Sequence, residues 1–460
     1  MKIETNEFVV EILTKFAGAG YEIYIVGGSV RDILTSRIVS DWDFTTNAIP
    51  EEILKIFPEG YYDNIFGTVG ISHPSSEKPY EITTFRKEFG YSDSRRPDRV
   101  EWGKSLEEDL SRRDFTINAM ALRSAQAFGS EAQARRGKPS QFDLIDPYDG
   151  QKDLEAKLIR AVGDPNERFG EDALRMMRAI RIAAELGFSI EDKTLEAIQA
   201  NAGLINKIAK ERVKQELFKT FASPDPYHGM LVFRETSLMA QILPEMEKTF
   251  GVEQKSPGRH HIYDVGTHSL MSLKSCKSED PLVRFATFMH DVGKPRTYKK
   301  SEEGLITFYN HEMVSAKIAE NIAERLRFST KEKDKFVRLV RWHQFSVGED
   351  QTDSALRRFI RNVGIENVPD MLELRVGDRL GGGATETSWR LEEFKKRLIE
   401  VQKQPFSVVD LKIDGNEVMK ALKLKPGPKV GEILNTLFEE VVEKKIPNEK
   451  SVLLARLKEF

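Results

Sequence analysis

The feature that most constrains the fold lies between Tyr21 and Arg86, where short β-forming runs alternate with turns and helical stretches. YEIYIVGG reads as a strand ending in a glycine turn, VRDILTSR as a helix, DWDFTT as a second strand and PEEILKIF as a helix opened by Pro50. FGTVGISH and YEITTFR supply further strands. This interleaving predicts an α+β domain around a mixed sheet. From about residue 150 the pattern turns helical. FGEDALRMMRAIRIAAELGF puts Leu174, Met177, Ile180 and Ala184 on one stripe, and Ile208, Val213, Leu217 and Phe218 make another. The fold class is therefore α+β: a mixed-sheet head over residues 1–150, then mostly α-helical segments over 151–255, 256–400 and 401–460. The last contains KLKPGPKVGEIL, a Pro-Gly-Pro turn leading into a helix, and no solenoid repeat is visible.

YSDSRRPDRVEWGKS, rich in turn formers and arginine, reads as an exposed loop. Residues 123–141, RSAQAFGSEAQARRGKPSQ, are small, polar and without period, and read as a disordered insertion with no chemistry of its own. A composition 40% hydrophobic and 31% charged is that of a soluble globular chain, not a fibre or a disordered tail. With 70 basic against 73 acidic side chains, no global positive field exists, so a polyanion must be held by local patches. The single cysteine, Cys276, excludes an internal disulfide and a cysteine-based zinc site, which fits a reducing compartment, the cytoplasm. No run approaches eighteen apolar residues, and Lys2, Glu4, Glu7 and Glu11 place charges where a signal peptide needs an apolar stretch, so no membrane is expected. The sequence carries no signal for the oligomeric state.

Three features of the head point to one chemistry. Gly27 and Gly28 end a strand and precede a helix, so backbone amides can approach a phosphate where a Cβ would obstruct. Asp41 and Asp43 are two apart on a predicted strand, and the strand period of two points both carboxylates to one face, where they can hold hard divalent cations. In two-metal phosphoryl transfer such ions stand roughly 4 Å apart. Glu81 could add a carboxylate or pair with Arg86, and Arg112 and Arg113, next to Asp114, offer guanidinium forks for phosphate oxygens. Alone, each is more often a surface turn or ion pair. Their co-occurrence in order changes the weighting.

GGSVRD, DWDFTT, EITTFR, SLEEDLSRRDFTINAMAL, LIDPYDG and GEDALRMMRAIR, in this order, resemble the class II tRNA nucleotidyltransferase and bacterial poly(A) polymerase superfamily over about residues 20–250. Within it the chain is most similar to bacterial CCA-adding enzymes, which build the 3′-terminal CCA of tRNA from CTP and ATP without a nucleic-acid template. The resemblance implies a nucleotidyltransferase head, nucleotide contacts at Gly28, Arg31 and Arg113, and magnesium at Asp41 and Asp43. Ser29 stands where alanine is common, a small-for-small departure.

Asp172, Arg175, Arg178 and Arg181 are spaced by three on a predicted helix and share one broad face. Cytosine and adenine each present an exocyclic amine beside a ring-nitrogen acceptor. A carboxylate with a guanidinium therefore suits both and leaves buried groups unpaired against uracil and guanine, at about 1–3 kcal/mol each. The resemblance assigns base selection to Glu171, Asp172 and Arg175; a charged face of intrahelical ion pairs is the plainer alternative. It also associates the SDSRRPD loop, with Arg95 and Arg96, with the switch to the final A, which argues for CCA or A addition over CC addition.

Six of the eight histidines fall between His260 and His343. His268, the pair His290 and Asp291, and Asp378 give the order H…HD…D, which resembles the HD phosphohydrolase superfamily. Imidazole and carboxylate ligands suit a divalent transition metal such as Ni, Mn, Co or Fe, and a coordinated hydroxide can attack a phosphoester. His311 and His343 lie where two-metal members carry extra ligands. Every expected ligand type is present, which favours a competent site over a helical scaffold with hydrogen-bonded histidines. His260 and His261 read as RNA contacts or surface residues, His73 and His228 as structural.

A tRNA substrate requires phosphate contacts and a gauge of folded shape. Lys207, Lys210, Arg212 and Lys214 in the 151–255 segment and KLKPGPKVG in the tail are the candidates, with solvated helix faces the alternative. The expected function is CCA addition to tRNA. Its rivals are A-only addition, a poly(A) polymerase (which would be expected to carry a strongly basic tail), an HD phosphodiesterase or phosphatase acting on RNA ends, and a non-catalytic tRNA-binding protein.

Overall fold

The alternating segments of the head form one sheet, seen in a computed structural model that describes residues 2–3, 5–62, 67–74, 76–89, 99–103, 105–124, 140–254, 262–345, 351–402, 408–443 and 445–460. Arg95, Arg96, His260, His261 and most of the 123–141 insertion lie outside the described residues. The chain divides into two compact units, Met1–Glu247 and Lys248–Phe460, a coarser partition than the four segments read from the sequence.

In the first unit the strands are β1 (Lys2–Ile3), β2 (Ile23–Val26), β3 (Asp43–Thr46), β4 (Tyr61–Tyr62), β5 (Thr68–Ile71), β6 (Tyr80–Thr84), β7 (Arg86–Phe89), β8 (Arg99–Trp102), β9 (Ala121–Ser124) and β10 (Ser140–Ile145), with a separate two-stranded parallel pair at β11 (Leu158–Ile159) and β12 (Ser189–Ile190). The main sheet runs β1-β10-β9-β2-β3-β6-β5-β4, and β7 pairs with β8 in a separate hairpin. β3 and β6 are parallel, with Asp43 in register with Glu81, while the flanking pairs are antiparallel. The sheet is therefore mixed, as expected. All four residues of β2 are buried, which a continuous apolar run such as IYIV requires.

Helix α1 (Glu7–Gly18), capped by the Asn6 side chain, buries Phe8, Val9, Ile12, Leu13 and Phe16, one face of a 3.6-residue period. Helix α2 (Gly28–Leu34) follows β2 directly and α3 (Pro50–Ile56) opens on Pro50. Helix α4 (Leu106–Ser111) is capped by Ser105 and delivers the Arg-Arg-Asp segment. The strand expected at DWDFTT starts only at Asp43, and Asp41 stands on the bend before it. The cause is Ser29: its hydroxyl donates to Asp41 O (2.7 Å) and accepts from Asp43 N (3.0 Å), tying this approach to α2.

Helix α5 (Pro165–Glu171) and α6 (Leu174–Leu186) replace the single helix expected through Asp172. Asp172 caps the end of α5 in an extended conformation, and its Oδ1 accepts from Leu174 N at 3.0 Å, so the carboxylate breaks one helix and starts the next. Glu171 and Arg175 therefore sit on different helices. Leu174, Met177, Ile180 and Ala184 are buried as the stripe predicts. Helix α7 (Lys210–Ala222) buries Val213 and Leu217, and the buried Ile208 precedes it.

The second unit is helical apart from one short hairpin among the described residues. Its centre is formed by α8 (Val265–Ser275), α9 (Pro281–Met289), α10 (His311–Arg325), α11 (Thr330–Trp342) and α12 (Val368–Gly381). Gly377 and Gly381 let α12 lie directly on α8, because a Cβ at either would run into Ser272. Helix α13 (Gly415–Leu422), with an Asp414–Glu417 capping box, α14 (Pro428–Val442) and α15 (Lys450–Leu457) enclose Val418, Leu437, Leu453 and Leu457. No helix among the described residues is long and apolar enough to cross a membrane.

Candidate functional site

The turn from β2 to α2 forms the floor of the first site. Gly27 has φ 71 and ψ −138, a conformation open to glycine. A Cβ there would stand 3.0 Å from Arg113 Nη1 and 3.4 Å from Asp43 Oδ2, so the turn, the aspartate and the arginine converge on one point. Gly28, Arg31, Asp41, Asp43, Asn118, Arg178 and Arg181 line a cleft of about 660 Å³. Burial pushes the Asp43 carboxyl above its ordinary range; Arg113 opposes this and the neighbouring Asp41 adds to it. Two carboxylates, one exposed and one half-buried, offer the hard oxygen donors that a magnesium ion requires.

Four arginines around this cleft, Arg31, Arg113, Arg178 and Arg181, are each oriented by an acid. Arg31 reaches Asp32 Oδ1 through Nε (2.9 Å) and Asn118 Oδ1 through Nη1 (3.1 Å). Arg113 Nη2 donates to Asp109 Oδ2 at 3.0 Å, and Arg112 Nε to Asp109 Oδ1 at 3.0 Å. Burial works against a charged Asp109, yet the two arginines hold its carboxyl down to about 2. Arg178 donates to Asp114 Oδ2 from Nε (2.8 Å) and Nη2 (2.6 Å). Burial likewise opposes the Asp114 charge, and Arg178 with Asn118 holds that carboxyl well below the usual carboxylate range. Arg181 is fixed by Glu216 and Glu185.

Asp172 and Arg175 are not in the cleft lining. Arg175 is buried, donating to Glu171 Oε2 (2.6 Å), Arg168 O (3.2 Å) and Arg112 O (3.0 Å), and Asp172 Oδ2 lies 3.6 Å from Arg212 Nη2. The row spaced by three therefore splits, its distal members Arg178 and Arg181 reaching the cleft. Lys210, Arg212 and Lys214 lie half-buried on α7, with Lys214 Nζ 5.9 Å from the Phe218 ring. Glu81 is on the exposed side of β6 beside Asp43.

In the second unit all six expected ligands meet. Asp291 Oδ2 lies 3.1 Å from His290 Nε2 and 3.7 Å from His268 Nε2, and its Oδ1 lies 3.2 Å from His311 Nε2 and 3.5 Å from His343 Nε2. Asp378 Oδ1 lies 3.1 Å from His268 Nε2 and 3.6 Å from His290 Nε2. The four histidines and Asp291 are buried. His290, His311 and His343 each place Nδ1 within 2.7–2.8 Å of the carbonyl three residues earlier, at Thr287, Phe308 and Val340. A carbonyl only accepts, so each Nδ1 carries a proton and each Nε2 is the nitrogen turned inward, where those of His311 and His343 stand 3.3 Å apart. Burial disfavours a charged His290, but Asp291 and Asp378 lift its imidazole to about 10, so an ion held at its Nε2 would displace a proton from that nitrogen. His290 is common to two sub-clusters, His268–His290–Asp378 and His290–Asp291–His343. Lys294 Nζ lies 2.6 Å from Asp291 Oδ2, and Lys294, Gln254, Phe308 and His311 line an adjacent cavity of about 350 Å³. His73 stacks on Phe8 at 4.0 Å, a structural role as expected.

Sequence reasoning missed four residues. Asp109 was marked only by its i+3 and i+4 spacing to Arg112 and Arg113. Lys294 carried the same signal, three residues after Asp291. Ser29 looked like a neutral replacement, and Lys78, which pairs with Asp41, stands in a turn with no local pattern to mark it.

Residues 23–160 match the family model for the poly A polymerase head domain, 187–250 that for the RNA and SrmB-binding site of polymerase A, and 297–457 that for tRNA nucleotidyltransferase domain 2. The CCA-adding enzyme of Pediococcus pentosaceus is 33% identical over 444 residues, 96% of this chain and 95% of the relative. That of Enterococcus faecalis is 32% identical over 464 residues, 99% and 97% of the two chains. The crystal structure of the Bacillus stearothermophilus CCA-adding enzyme in complex with CTP has 27% identity and a TM-score of 0.72, covering 99% of this chain and 98% of that one. With a third of its residues shared along nearly the full length of such relatives, and the head motifs gathered in one cleft, this chain belongs to the family of CCA-adding enzymes.

Proposed function

We propose that the chain is a tRNA nucleotidyltransferase that adds C, C and A to tRNA 3′ ends from CTP and ATP without a nucleic-acid template. The observation that carries this reading is the cleft in which Asp41 and Asp43 face Gly28, Arg31, Arg178 and Arg181, in a chain whose full-length relatives are named CCA-adding enzymes. Asp41 and Asp43 hold magnesium. Bound there, it would supply the charge that lowers the pKa of the attacking hydroxyl and offsets the triphosphate. Arg31 and Arg113, held by Asp32 and Asp109, present guanidinium forks to the phosphates without having to be ordered during the reaction. The tRNA 3′-hydroxyl oxygen bonds to the α-phosphorus, the bond to the bridging oxygen breaks, and pyrophosphate leaves. Asp172 and Arg175 supply the carboxylate and guanidinium that suit cytosine and adenine once Arg175 exchanges Glu171 and the carbonyls of Arg168 and Arg112 for the base, and Lys210, Arg212 and Lys214 contact the RNA backbone.

The protein works in the cytoplasm, in keeping with its one buried, unpaired cysteine. Purified protein given a tRNA ending at its discriminator base, with labelled CTP and ATP singly and together, is expected to add C, C and A and stop. Untemplated runs of A on unstructured RNA would sink the reading in favour of a poly(A) polymerase, and addition of A alone to a tRNA ending in CC would favour the A-adding alternative.

The six-ligand cluster favours a second reading for the other unit: His268, His290, Asp291, His311, His343 and Asp378 hold a divalent transition metal at one or two positions. The donor set fits, since His290 Nε2 is buried without a hydrogen bond and the Nδ1 protons of three histidines are already committed to carbonyls. A bound ion would supply a hydroxide able to attack a phosphoester. Lys294, beside Asp291 and in the lining of the cavity, would orient such an ester. Metal content of the full chain, with hydrolysis of 2′,3′-cyclic and monophosphate RNA ends, tests this reading.

A further inference from the structure

The cations of the head cleft do not all have the same kind of partner. Arg31 is held by Asp32, Arg178 by Asp114, Arg181 by Glu185 and Glu216, and Lys219 by Glu216, acids that have no part in holding magnesium. Lys78 lines the same cleft, and its partner is Asp41 itself. Lys78 Nζ lies 2.6 Å from Asp41 Oδ1 and 2.7 Å from Oδ2. One ammonium astride both oxygens takes the place of a cation bound along that carboxylate edge. The side chains of Lys78 and Asp41 are 60% and 52% exposed, so the pair is hydrated, weakly held and free to exchange.

We propose that Lys78 is a resident counter-cation of the catalytic carboxylates, which neutralises Asp41 in the nucleotide-free enzyme and moves to the phosphates of the incoming CTP or ATP when Asp41 takes its magnesium. The proposal rests on Asp41 being a magnesium ligand. Three considerations support it. Asp41 and Asp43 line one cleft, so a cation seated on the more exposed of the two offsets the repulsion between their carboxylates. Lysine is a point charge on a flexible four-carbon stem and can change partners with little rearrangement, unlike the doubly held Arg178. A triphosphate also brings more negative charge than the carboxylates leave to be balanced, and Lys78 becomes available in the same event. Lys78 thereby couples the two ligands: it competes with the metal until the nucleotide offers it another partner, so each ligand favours the other.

The test is Mn²⁺ binding to the full chain, followed by electron paramagnetic resonance with and without CTP, reading only the component that Asp41→Asn removes. Lys78→Met should tighten that component roughly two- to fivefold without CTP, the range an exposed ion pair supplies. It should also weaken CTP binding in the presence of Mn²⁺ and shrink the gain in Mn²⁺ affinity that CTP confers. Lys78→Arg, which keeps the charge, should retain most of that gain. Unchanged or weaker Mn²⁺ binding by Lys78→Met without CTP overturns the proposal, as does an undiminished CTP effect. If Asp41→Asn removes no Mn²⁺ at all, the reading of Asp41 as a ligand has failed instead, which is a separate result.

Discussion

Replacing Asp109 by asparagine tests whether the Arg-Arg-Asp segment is held by charge. The Asp109 side chain is 0% exposed, while its partners Arg112 and Arg113 are 16% and 18% exposed. Asparagine keeps the shape and removes the charge. A carboxyl held at about 2 against an ordinary 3.8 corresponds to about 2 kcal/mol of stability at pH 7. Removing one partner of a buried ion pair costs ~3–5 kcal/mol when the other is stranded, and these two guanidiniums reach water, which brings the expected loss to about 2–3 kcal/mol. Because the folded carboxyl titrates below the unfolded one, its contribution is fully present above about pH 4 and is lost as the pH falls towards 2, with roughly half remaining near pH 3. Urea unfolding of the wild type and Asp109→Asn, compared from pH 7 down to pH 3, should therefore show a gap that narrows with acid. A gap that stays constant, or one below about 0.5 kcal/mol at pH 7, would refute the argument. In activity assays the variant should raise KM for CTP, since Arg113 loses its support, and leave KM for tRNA near its original value.

Gly27→Ala should destabilise the protein by about 1–3 kcal/mol from backbone strain and weaken CTP binding in calorimetry, because the new Cβ meets Arg113; unaltered Tm and CTP affinity would remove the glycine from the site. Ser29→Ala deletes both bonds that fix the Asp41–Asp43 bend, so a loss of about 1 kcal/mol and a higher magnesium requirement for nucleotide addition are expected, measured by unfolding and by magnesium titration of the rate. His290→Ala should lower the metal carried per chain, read by elemental analysis, and leave CCA addition intact. Loss of addition in a folded His290→Ala protein would show that the two sites do not work separately.

The head was legible because its signals are local. A buried run such as IYIV, a Gly-Gly turn and a capped helix are each set by a few consecutive residues, and the sheet assembles from them. The breaks were less legible. Asp172 looks like one more charged position on a helix, and only its side-chain bond to Leu174 N shows why the helix stops there. Asp41 looked like a strand residue because the alternation extends to it; the Ser29 hydroxyl, twelve residues away in sequence, decides otherwise. The six ligands of the second unit were recognisable by type, but their meeting depends on α12 lying against α8, which Gly377 and Gly381 permit and no periodicity announces. Lys78 left no trace at all, since a lone lysine in a turn acquires meaning only from what the fold puts opposite it.

The three histidines locked by carbonyls have a consequence for how such a centre can change over time. Each ring is held at Nδ1 by the peptide group three residues before it, on its own turn of chain, whatever its Nε2 meets among the other ligands. Part of each ring's orientation is thus a private property of its own segment, set before the ligands face one another. Losing one imidazole leaves the others still held at Nδ1, so ligands can be lost singly while the surrounding helices keep their packing. A helical unit with this construction can outlive its chemistry and serve as plain architecture, and its remaining histidines would record how far that process had gone.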